Sequence, residues 1–381
     1  PLTHDGWLEI EVDGQRRRIG ITRVHLEEDT AKLFHVDGHS LVDFNRSGVP
    51  LMEIVSEPDM RSVDEARLYS LKLRQILRYL GVNSGDMEKG AMRFEANISL
   101  RPKGAKGYGT RVEIKNLNSF RALLRSLEYE AERQRRVLEA GGTIRQETMG
   151  WDEVHGVTVP QRGKEYAHDY RYFPEPDLPP LYITREWVEE LRARLPELPD
   201  ARRERFMAQY KLSRYDADLL TSEKAIADYF EACARQYPDA KKAANWITGE
   251  LFRLLKATDT EIEDTKIKPQ DLVALLKIVD QGTISGSAAK TVFEEMFATG
   301  RSAEEIVAEK GLTQISDAQR LGSIVGEVLG ENPQAVADYL GGKEAALRFL
   351  VGQVMKATRG QANPGLANEL LRQELKKLSA S

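Results

Sequence analysis

Cysteine is nearly absent from this sequence, and so are long apolar runs. Cys233 is the single cysteine among 381 residues, which excludes a disulfide framework and a cysteine-rich zinc site within the chain. No apolar stretch approaches the ~20 residues that a membrane-spanning helix needs, and no signal peptide is visible. The net charge of −5 does not by itself indicate a nucleic-acid-binding protein. We therefore expect a cytoplasmic protein, in a reducing compartment, that makes no contact with a membrane.

The composition is that of an ordinary globular protein, with 41% hydrophobic and 30% charged residues. At this length two or three domains are expected. Strand-like alternation and helical spacing are mixed up to about residue 185, whereas the rest of the chain shows helical patterns separated by prolines and glycines. We predict the α+β class. A mixed α/β domain with an antiparallel-rich sheet is expected at 1–185, a helical domain at 186–315 and a small helical tail domain at 316–381.

Local signals predict several elements of the first domain. Alternation over residues 8–12 predicts a strand, and Asp13-Gly14 predicts the turn into a second strand. Ser62 and Glu65 have the spacing of a capping box at the start of a helix. A second helix is predicted over residues 120–139, capped by Ser119 and ended by Gly141-Gly142. The predicted core faces of the helices contain Leu123, Leu124, Leu127, Leu138, Leu347, Phe349, Leu350, Val351, Val354 and Met355.

Two acidic clusters in the first domain are each joined to apolar, strand-like sequence. Glu53 lies within the apolar run 51–55, and Glu27, Glu28 and Asp29 follow a similar run earlier in the chain. A carboxylate within a buried run is costly to desolvate unless a cation or a donor meets it. Oxygen ligands of this kind suit a hard cation such as Mg²⁺. The spacing alone is equally compatible with acids in solvated loops.

Two further strands are predicted on either side of a basic, glycine-rich loop at residues 102–109. Such a strand pair would have one apolar face and one polar face. The polar face is predicted to contain Arg93, Glu95, Asn97 and Lys115. This surface suits a phosphate-bearing ligand, although the loop is not a Walker A sequence. An antiparallel sheet with one solvated face accounts for the same pattern.

The sequence offers no nucleophile for acyl transfer. Cys233 lies within a helical pattern that predicts a buried thiol, and there is no Gly-Ser-Ser amidase signature and no G-x-S-x-G elbow. In the tail, Lys343, Lys356 and Arg359 could contact a phosphate backbone, or they could simply favour the dipoles of nearby helices. As a set, the residues fit activation of a carboxylate by ATP better than acyl-enzyme chemistry.

Five long motifs in the sequence resemble one family. They are HLEEDTAK at 25–32, DFNRSGVPLMEIVSEPDMRS at 43–62, GTRVEIKNLNSF at 109–120, DYRYFPEPDLPPLYI at 169–183 and FLVGQVMKATRGQANPGLANELL at 349–371. In this order they resemble the B subunit of the glutamine-dependent aspartyl/glutamyl-tRNA amidotransferase, over nearly the whole chain. Members of that family begin with a further N-terminal segment, so the resemblance implies that this chain is a fragment. One departure is Lys89, which stands where the family commonly has an acid.

The resemblance implies a function for the chain. In that family the B subunit uses ATP and Mg²⁺ to phosphorylate the side-chain carboxyl of Glu-tRNA(Gln) or Asp-tRNA(Asn), and ammonia then displaces the phosphate. The ammonia comes from glutamine hydrolysed by an amidase A subunit, and a small C subunit completes the heterotrimer. The mixed α/β domain would then be the catalytic cradle. The alternative hypothesis is a non-catalytic tRNA-binding module of a multisubunit complex.

The resemblance also implies roles for individual residues. Glu28 and Glu53 are predicted as catalytic metal ligands, with Glu27 as a further catalytic residue. Glu27, Glu57 and Asp59 would support the metal ligands or line the ammonia channel. The family's other metal ligands fall before Pro1, so the chain is expected to bind Mg²⁺ weakly or not at all. The predicted nucleotide or acceptor-end pocket contains Arg93, Glu95, Asn97 and Lys115. The predicted tRNA contacts are Lys343, Lys356 and Arg359.

Overall fold

The computed structural model describes residues 2–161, 176–177, 179–312, 318–358 and 360–380. The chain divides into two compact units, Pro1–Leu198 and Pro199–Ser381. All strands of the described residues lie in the first unit, and the second unit is helical, which confirms the predicted α+β class. The three predicted domain ranges stay predictions. Most of the proline-rich motif at 169–183 lies outside the described residues.

The first sheet has three antiparallel strands in the order β1-β2-β5. They are β1 (Thr3–Val12), β2 (Gln15–Glu28) and β5 (Pro50–Ser56). The predicted turn between β1 and β2 is confirmed. Asp13 and Gly14 both have positive φ, 49° and 76°, as a two-residue turn between twisted strands requires. A separate hairpin of β3 (Lys32–Val36) and β4 (His39–Asp43) is inserted between β2 and β5.

Helix α1 (Val63–Tyr79) covers one face of the first sheet. The Ser62 hydroxyl accepts the Glu65 N–H at 3.1 Å, as predicted, but the Glu65 carboxylate accepts the N–H of Arg61 at 2.6 Å rather than that of Ser62. The helix start is therefore confirmed, with the reciprocal bond displaced by one residue. Burial of apolar side chains between helix and sheet stabilises this layer; the buried set is Leu8, Ile10, Ile19, Tyr69, Leu73 and Leu77.

Among the described residues, the second sheet has four strands in sequential order: β6 (Phe94–Ile98), β7 (Val112–Leu117), β8 (Glu147–Asp152) and β9 (Val157–Pro160). Only the β7–β8 pairing is parallel, and helix α2 (Phe120–Glu139) forms the crossover, with the predicted bounds. Leu123 and Leu127 are buried as predicted, but Leu138 is 39% exposed. Its predicted place in the core is wrong because Gln134, one turn earlier, already lies against the end of β6, where it contacts Ile98 and, two residues beyond the strand, Leu100.

The described helices of the first unit end with α3 (Arg185–Arg194), and the second unit contains two separate hydrophobic cores. The first core joins α4 (Pro199–Tyr210), α5 (Arg214–Leu220), α6 (Lys224–Ala234), α7 (Ala240–Trp246), a π-helix (Ile247–Leu251), α8 (Phe252–Thr258), a 3₁₀-helix (Ile262–Asp264), α9 (Pro269–Asp280), α10 (Gly286–Thr299) and α11 (Ala303–Lys310). The second core joins α12 (Ala318–Glu331), α13 (Pro333–Leu340), α14 (Ala345–Ala357) and α15 (Pro364–Ala380).

Within α14 the predicted apolar stripe is largely confirmed. Leu347, Leu350 and Val354 are buried, whereas Phe349 is 50% exposed. The prediction for Phe349 is wrong because the buried stripe follows helical spacing of three and four residues, and position 349 falls off that stripe. Within the described residues, no helix combines the length and the apolarity needed to cross a membrane.

Candidate functional site

Glu53 lies on the face of the first sheet that is turned away from α1. Its neighbour Ile54 packs into the core on the α1 side, and successive side chains of a strand point to opposite faces. Glu53 pairs with His25 across β5 and β2, and directly paired residues share a face. Glu27, two residues from His25, therefore lies on the same face. The sheet thus brings the carboxylates of Glu27 and Glu53 to one side, which we call the outer face.

Glu28 lies on the opposite face of the sheet. It follows Glu27 in β2 and pairs with Pro50, in the row of β5 side chains that continues to Ile54. The structure does not bring Glu28 and Glu53, the two predicted metal ligands, together, because the sheet separates their side chains. Glu27, predicted as a further catalytic residue, is the glutamate of this cluster that shares a face with Glu53.

Glu57 and Asp59 fold back over the outer face at Gly20. The Gly20 N–H donates to Oδ2 of Asp59 at 2.9 Å, and the Thr22 hydroxyl donates to Oε1 of Glu57 at 2.6 Å. A Cβ at Gly20 would lie 2.7 Å from Cγ of Glu57, so this approach requires glycine. Both acids therefore have structural hydrogen bonds, which hold the segment after β5 against β2.

His25, also on the outer face, already forms a hydrogen bond with a neighbouring residue. It is 9% exposed, and its Nε2 accepts a hydrogen bond from Nε of Arg23. Across the ranges that the structure describes, no three His, Cys, Asp or Glu side chains are grouped so that they could hold a metal ion. Two carboxylates can provide only part of the octahedral oxygen set that Mg²⁺ requires. By themselves, these residues do not fit a complete metal site.

Arg93 lies near the end of β2, one residue before β6 begins. Its positive charge helps to lower the pKa of Asp29, the residue after Glu28. Arg46 donates to Oδ2 of Asp29 at 2.7 Å, and this hydrogen bond is the main reason why the pKa of Asp29 lies below its usual value. Arg46 is not among the residues predicted from the sequence, although it belongs to the motif at 43–62. Two arginines thus border the acidic end of the first sheet, where they could meet an anionic group.

Glu95, Asn97 and Lys115 belong to the polar face of the second sheet, and the predicted pairing of their strands is confirmed. The Lys115 ammonium is 3.4 Å from Oε1 of Glu95 and 3.7 Å from Oε1 of Glu113. Partial burial lowers the pKa of Lys115, but the two carboxylates outweigh burial and the pKa lies above its usual value. The lysine is therefore charged at neutral pH, and its charge is already balanced within the sheet.

The predicted tRNA contacts in the tail are spread along α14. Lys343 precedes the helix, with its ammonium 3.0 Å from Oδ1 of Asp338, and Lys356 is exposed in the last turn. The two lysines are 13 residues apart, about 20 Å along a helix at 1.5 Å per residue. They cannot bind the same phosphate group, although each could meet a different one. Arg359 lies outside the described residues.

The chain is similar to two family models and, over nearly its whole length, to several known proteins. Residues 1–189 match the family model of the GatB/GatE catalytic domain, and residues 228–375 match that of the GatB domain. The chain is 57% identical to the B subunit of the aspartyl/glutamyl-tRNA(Asn/Gln) amidotransferase of Carboxydothermus hydrogenoformans, over 99% of this chain and 80% of the relative. The corresponding protein of Moorella thermoacetica is 58% identical, over 98% of this chain and 80% of the relative.

A third relative, the B subunit from Herpetosiphon aurantiacus, is 56% identical over 98% of this chain and 79% of its own length. The two family models together cover most of the chain and define its class as that of the GatB proteins. It belongs to the family of aspartyl/glutamyl-tRNA(Asn/Gln) amidotransferase B subunits, which confirms the family predicted from the motifs.

Proposed function

We propose that this chain activates the side-chain carboxyl of the amino acid on misacylated Glu-tRNA(Gln), Asp-tRNA(Asn) or both. ATP transfers its terminal phosphoryl group to a carboxylate oxygen, which gives an acyl phosphate and ADP. Ammonia then attacks the carbonyl carbon, the carbon–oxygen bond to phosphate breaks, and the amide is formed. The step is necessary because a carboxylate resists attack by an amine, whereas an acyl phosphate accepts it.

The partners proposed for this reaction are an amidase A subunit and a small C subunit. Membership of a B-subunit family implies partner chains. The burial of the single thiol supports the assignment of glutamine hydrolysis to one of these partners. Cys233 is fully buried in α6, and burial raises its pKa to about 12, so this thiol is not an available nucleophile. Hydrolysis of glutamine, which yields the ammonia, is therefore assigned to the amidase partner.

The observation that supports the proposal most directly is the shared face of Glu27 and Glu53. Carboxylates placed together on a sheet face could provide some of the oxygen ligands of Mg²⁺. When bound, Mg²⁺ would neutralise charge on the phosphates during transfer. Arg46 and Arg93, beside the same end of the sheet, are suited to orient an anionic phosphate chain by charge-assisted hydrogen bonds.

The test compares neighbouring glutamates in the assembled enzyme. Glu27→Gln and Glu53→Gln are expected to lower the rate of ATP-dependent Gln-tRNA(Gln) or Asn-tRNA(Asn) formation by about 100-fold, the scale of losing one electrostatic contact to a transition state. Glu28→Gln is the matched control, since it removes the same charge one residue away but on the other face. It should retain near wild-type activity. Equal losses in Glu27→Gln and Glu28→Gln would contradict the assignment of the outer face.

A non-catalytic tRNA-binding module is the second candidate function. It is favoured by one observation, the lack of a complete group of metal ligands among the described residues. On this hypothesis tRNA binds to the chain with an affinity that ATP and Mg²⁺ leave unchanged. The three glutamate variants would then have the same activity as the wild type in the assembled enzyme.

A further inference from the structure

The loop from Arg101 to Arg111, which we call the basic loop, connects β6 to β7. It contains four cations, Arg101, Lys103, Lys106 and Arg111, and the sequence has no acid between Glu95 and Glu113. Every one of these four cations is exposed. A local excess of positive charge of this kind attracts phosphate groups even on a molecule whose net charge is negative.

Two lysines of the basic loop have no carboxylate partner, in contrast to many cations of the first unit. Arg46, Lys115 and Arg133 each lie within 4 Å of a carboxylate, as do several more cations of these sheets and helices. In the part of the chain that the structure describes, no acid pairs with Lys103 or Lys106. Their charges are therefore not balanced within the protein, which leaves them available to an anionic partner.

Tyr108 adds an aromatic surface to these charges. Its side chain is 63% exposed, and the Arg101 guanidinium lies over the ring, 5.4 Å from its centroid. The same guanidinium donates to the carbonyl of Gly107, which fixes it beside the ring. An aromatic ring next to unpaired cations is the combination by which proteins bind single-stranded nucleic acid, with bases stacked on the ring and phosphates on the cations.

The base of the loop is closed by a contact that only glycine permits. A Cβ at Gly109 would overlap the carbonyl oxygen of Leu100, and the Leu100 N–H donates to Oε1 of Gln134 in α2 at 3.0 Å. The two ends of the loop are thus held together against the helix. Tyr108 and its neighbouring cations are presented from a defined position at the end of the β6–β7 pair.

We propose that the basic loop binds the single-stranded 3′ end of the tRNA substrate, with a base stacked on Tyr108 and phosphates contacted by Lys103 and Lys106. This inference rests on the proposed function, because it presupposes that an aminoacyl-tRNA is the substrate. The loop continues the strand that contains Asn97. Arg101 is four residues further along, at most about 14 Å in an extended chain, so the loop borders the predicted pocket for the acceptor end.

The experiment measures binding of the full chain to two RNAs without ATP. One is a tRNA(Gln) transcript, and the other is the same transcript without its unpaired 3′-terminal nucleotides. Tyr108→Ala is expected to weaken binding of the complete transcript by roughly 5- to 150-fold, the range for one stacked base, whereas Tyr108→Phe should retain binding. On the shortened transcript, Tyr108→Ala should have no effect, because its proposed contact is already missing.

The lysines are tested through the salt dependence of the same affinity. Lys103→Gln/Lys106→Gln should reduce the slope of log K against log salt by about 1.4, since each phosphate contact on a single strand contributes about 0.7. The matched control is Arg121→Gln/Arg125→Gln, which removes two exposed cations from α2 and should leave the slope unchanged. An equal change of slope in both double variants would overturn the inference, because a general charge effect would then explain the result.

Other outcomes separate this inference from the proposed function. If the wild-type chain binds neither transcript, both fail. If it binds the complete transcript and the loop variants bind equally well, only the loop inference fails. Equal weakening by Tyr108→Ala on both transcripts would place the contact outside the 3′ end and would also overturn it. Unchanged RNA binding with reduced assembly onto the amidase partner would show that the loop contacts a protein instead.

Discussion

Substitution of Gly20 by alanine tests how the first sheet holds the acidic segment that follows β5. The new Cβ would lie 2.7 Å from Cγ and 3.1 Å from Cβ of Glu57. Both distances are below the 3.5–4.0 Å at which carbon atoms pack best. The segment must therefore move away from β2, and the two hydrogen bonds that its side chains accept, from the Gly20 N–H and from the Thr22 hydroxyl, cannot both persist.

The expected cost follows from these two effects. Overpacking of a well-packed site costs about 1–3 kcal/mol, and a lost hydrogen bond costs about 1 kcal/mol. Alanine in an extended strand offsets part of this, because it restricts the unfolded chain more than glycine does, by about 0.4–1 kcal/mol. We expect Gly20→Ala to lower the free energy of unfolding by about 2 kcal/mol in total, a value at the middle of the overpacking range.

Urea denaturation followed by circular dichroism measures this change, and Gly6→Ala is its control. Gly6 lies in β1 of the same sheet and pairs with Ile21. Its added Cβ would meet Cβ of Ile21 at 3.5 Å, an ordinary contact, so the substitution should be neutral or slightly stabilising. If Gly20→Ala proves as stable as Gly6→Ala, Glu57 and Asp59 do not pack on the outer face as described.

Two further predictions concern the helical unit. Glu231 accepts hydrogen bonds from Arg202 at 2.5 Å and from Arg205 at 2.7 Å. Glu231→Gln should lower the free energy of unfolding by about 3 kcal/mol, the lower end for a broken buried ion pair. The lower end applies because Asp228 remains beside Arg202 in the variant. Burial raises the pKa of Glu231, but the two arginines outweigh it and the pKa is lowered. The contribution is therefore present above the unfolded pKa of about 4.3 and is lost as pH falls through the folded pKa. The stability difference in urea should shrink on acidification below that value, and a difference that stays constant from neutral pH to pH 3 would refute this account. Cys233, buried with its pKa raised to about 12, should react with a thiol reagent only after denaturation, and rapid reaction of the native chain would show that it is accessible.

Elements with strong local signals were predictable from the sequence. Helix α2 has the bounds expected from Ser119 and the glycines after Glu139, because a cap and a helix-ending glycine act within one turn of the chain. The turn at Asp13-Gly14 was predictable for the same reason. The exposure of Leu138 was not, since it depends on where the helix passes its neighbours, and that position is set by residues distant in sequence.

The orientation of Glu27 and Glu28 depends on a register irregularity that the sequence pattern does not reveal. Ile21 pairs with Ser56, whereas Arg23 pairs with Val55, so two steps along β2 correspond to one step along β5. Such a bulge inserts an extra residue and reverses which positions of the strand face the core.

Before the irregularity, odd positions of β2 such as Ile19 and Ile21 face α1, whereas after it the even positions do, as the pairing of Val24 with the core residue Ile54 requires. Without it, strict alternation would bury Glu27 on the α1 side and turn Glu28 outwards. One inserted residue near Thr22 therefore decides which glutamate accompanies Glu53, and the hydrogen bond from Thr22 to Glu57 fixes that residue on the outer face. The same local feature thus places Glu27 with Glu53 and anchors the segment that follows β5.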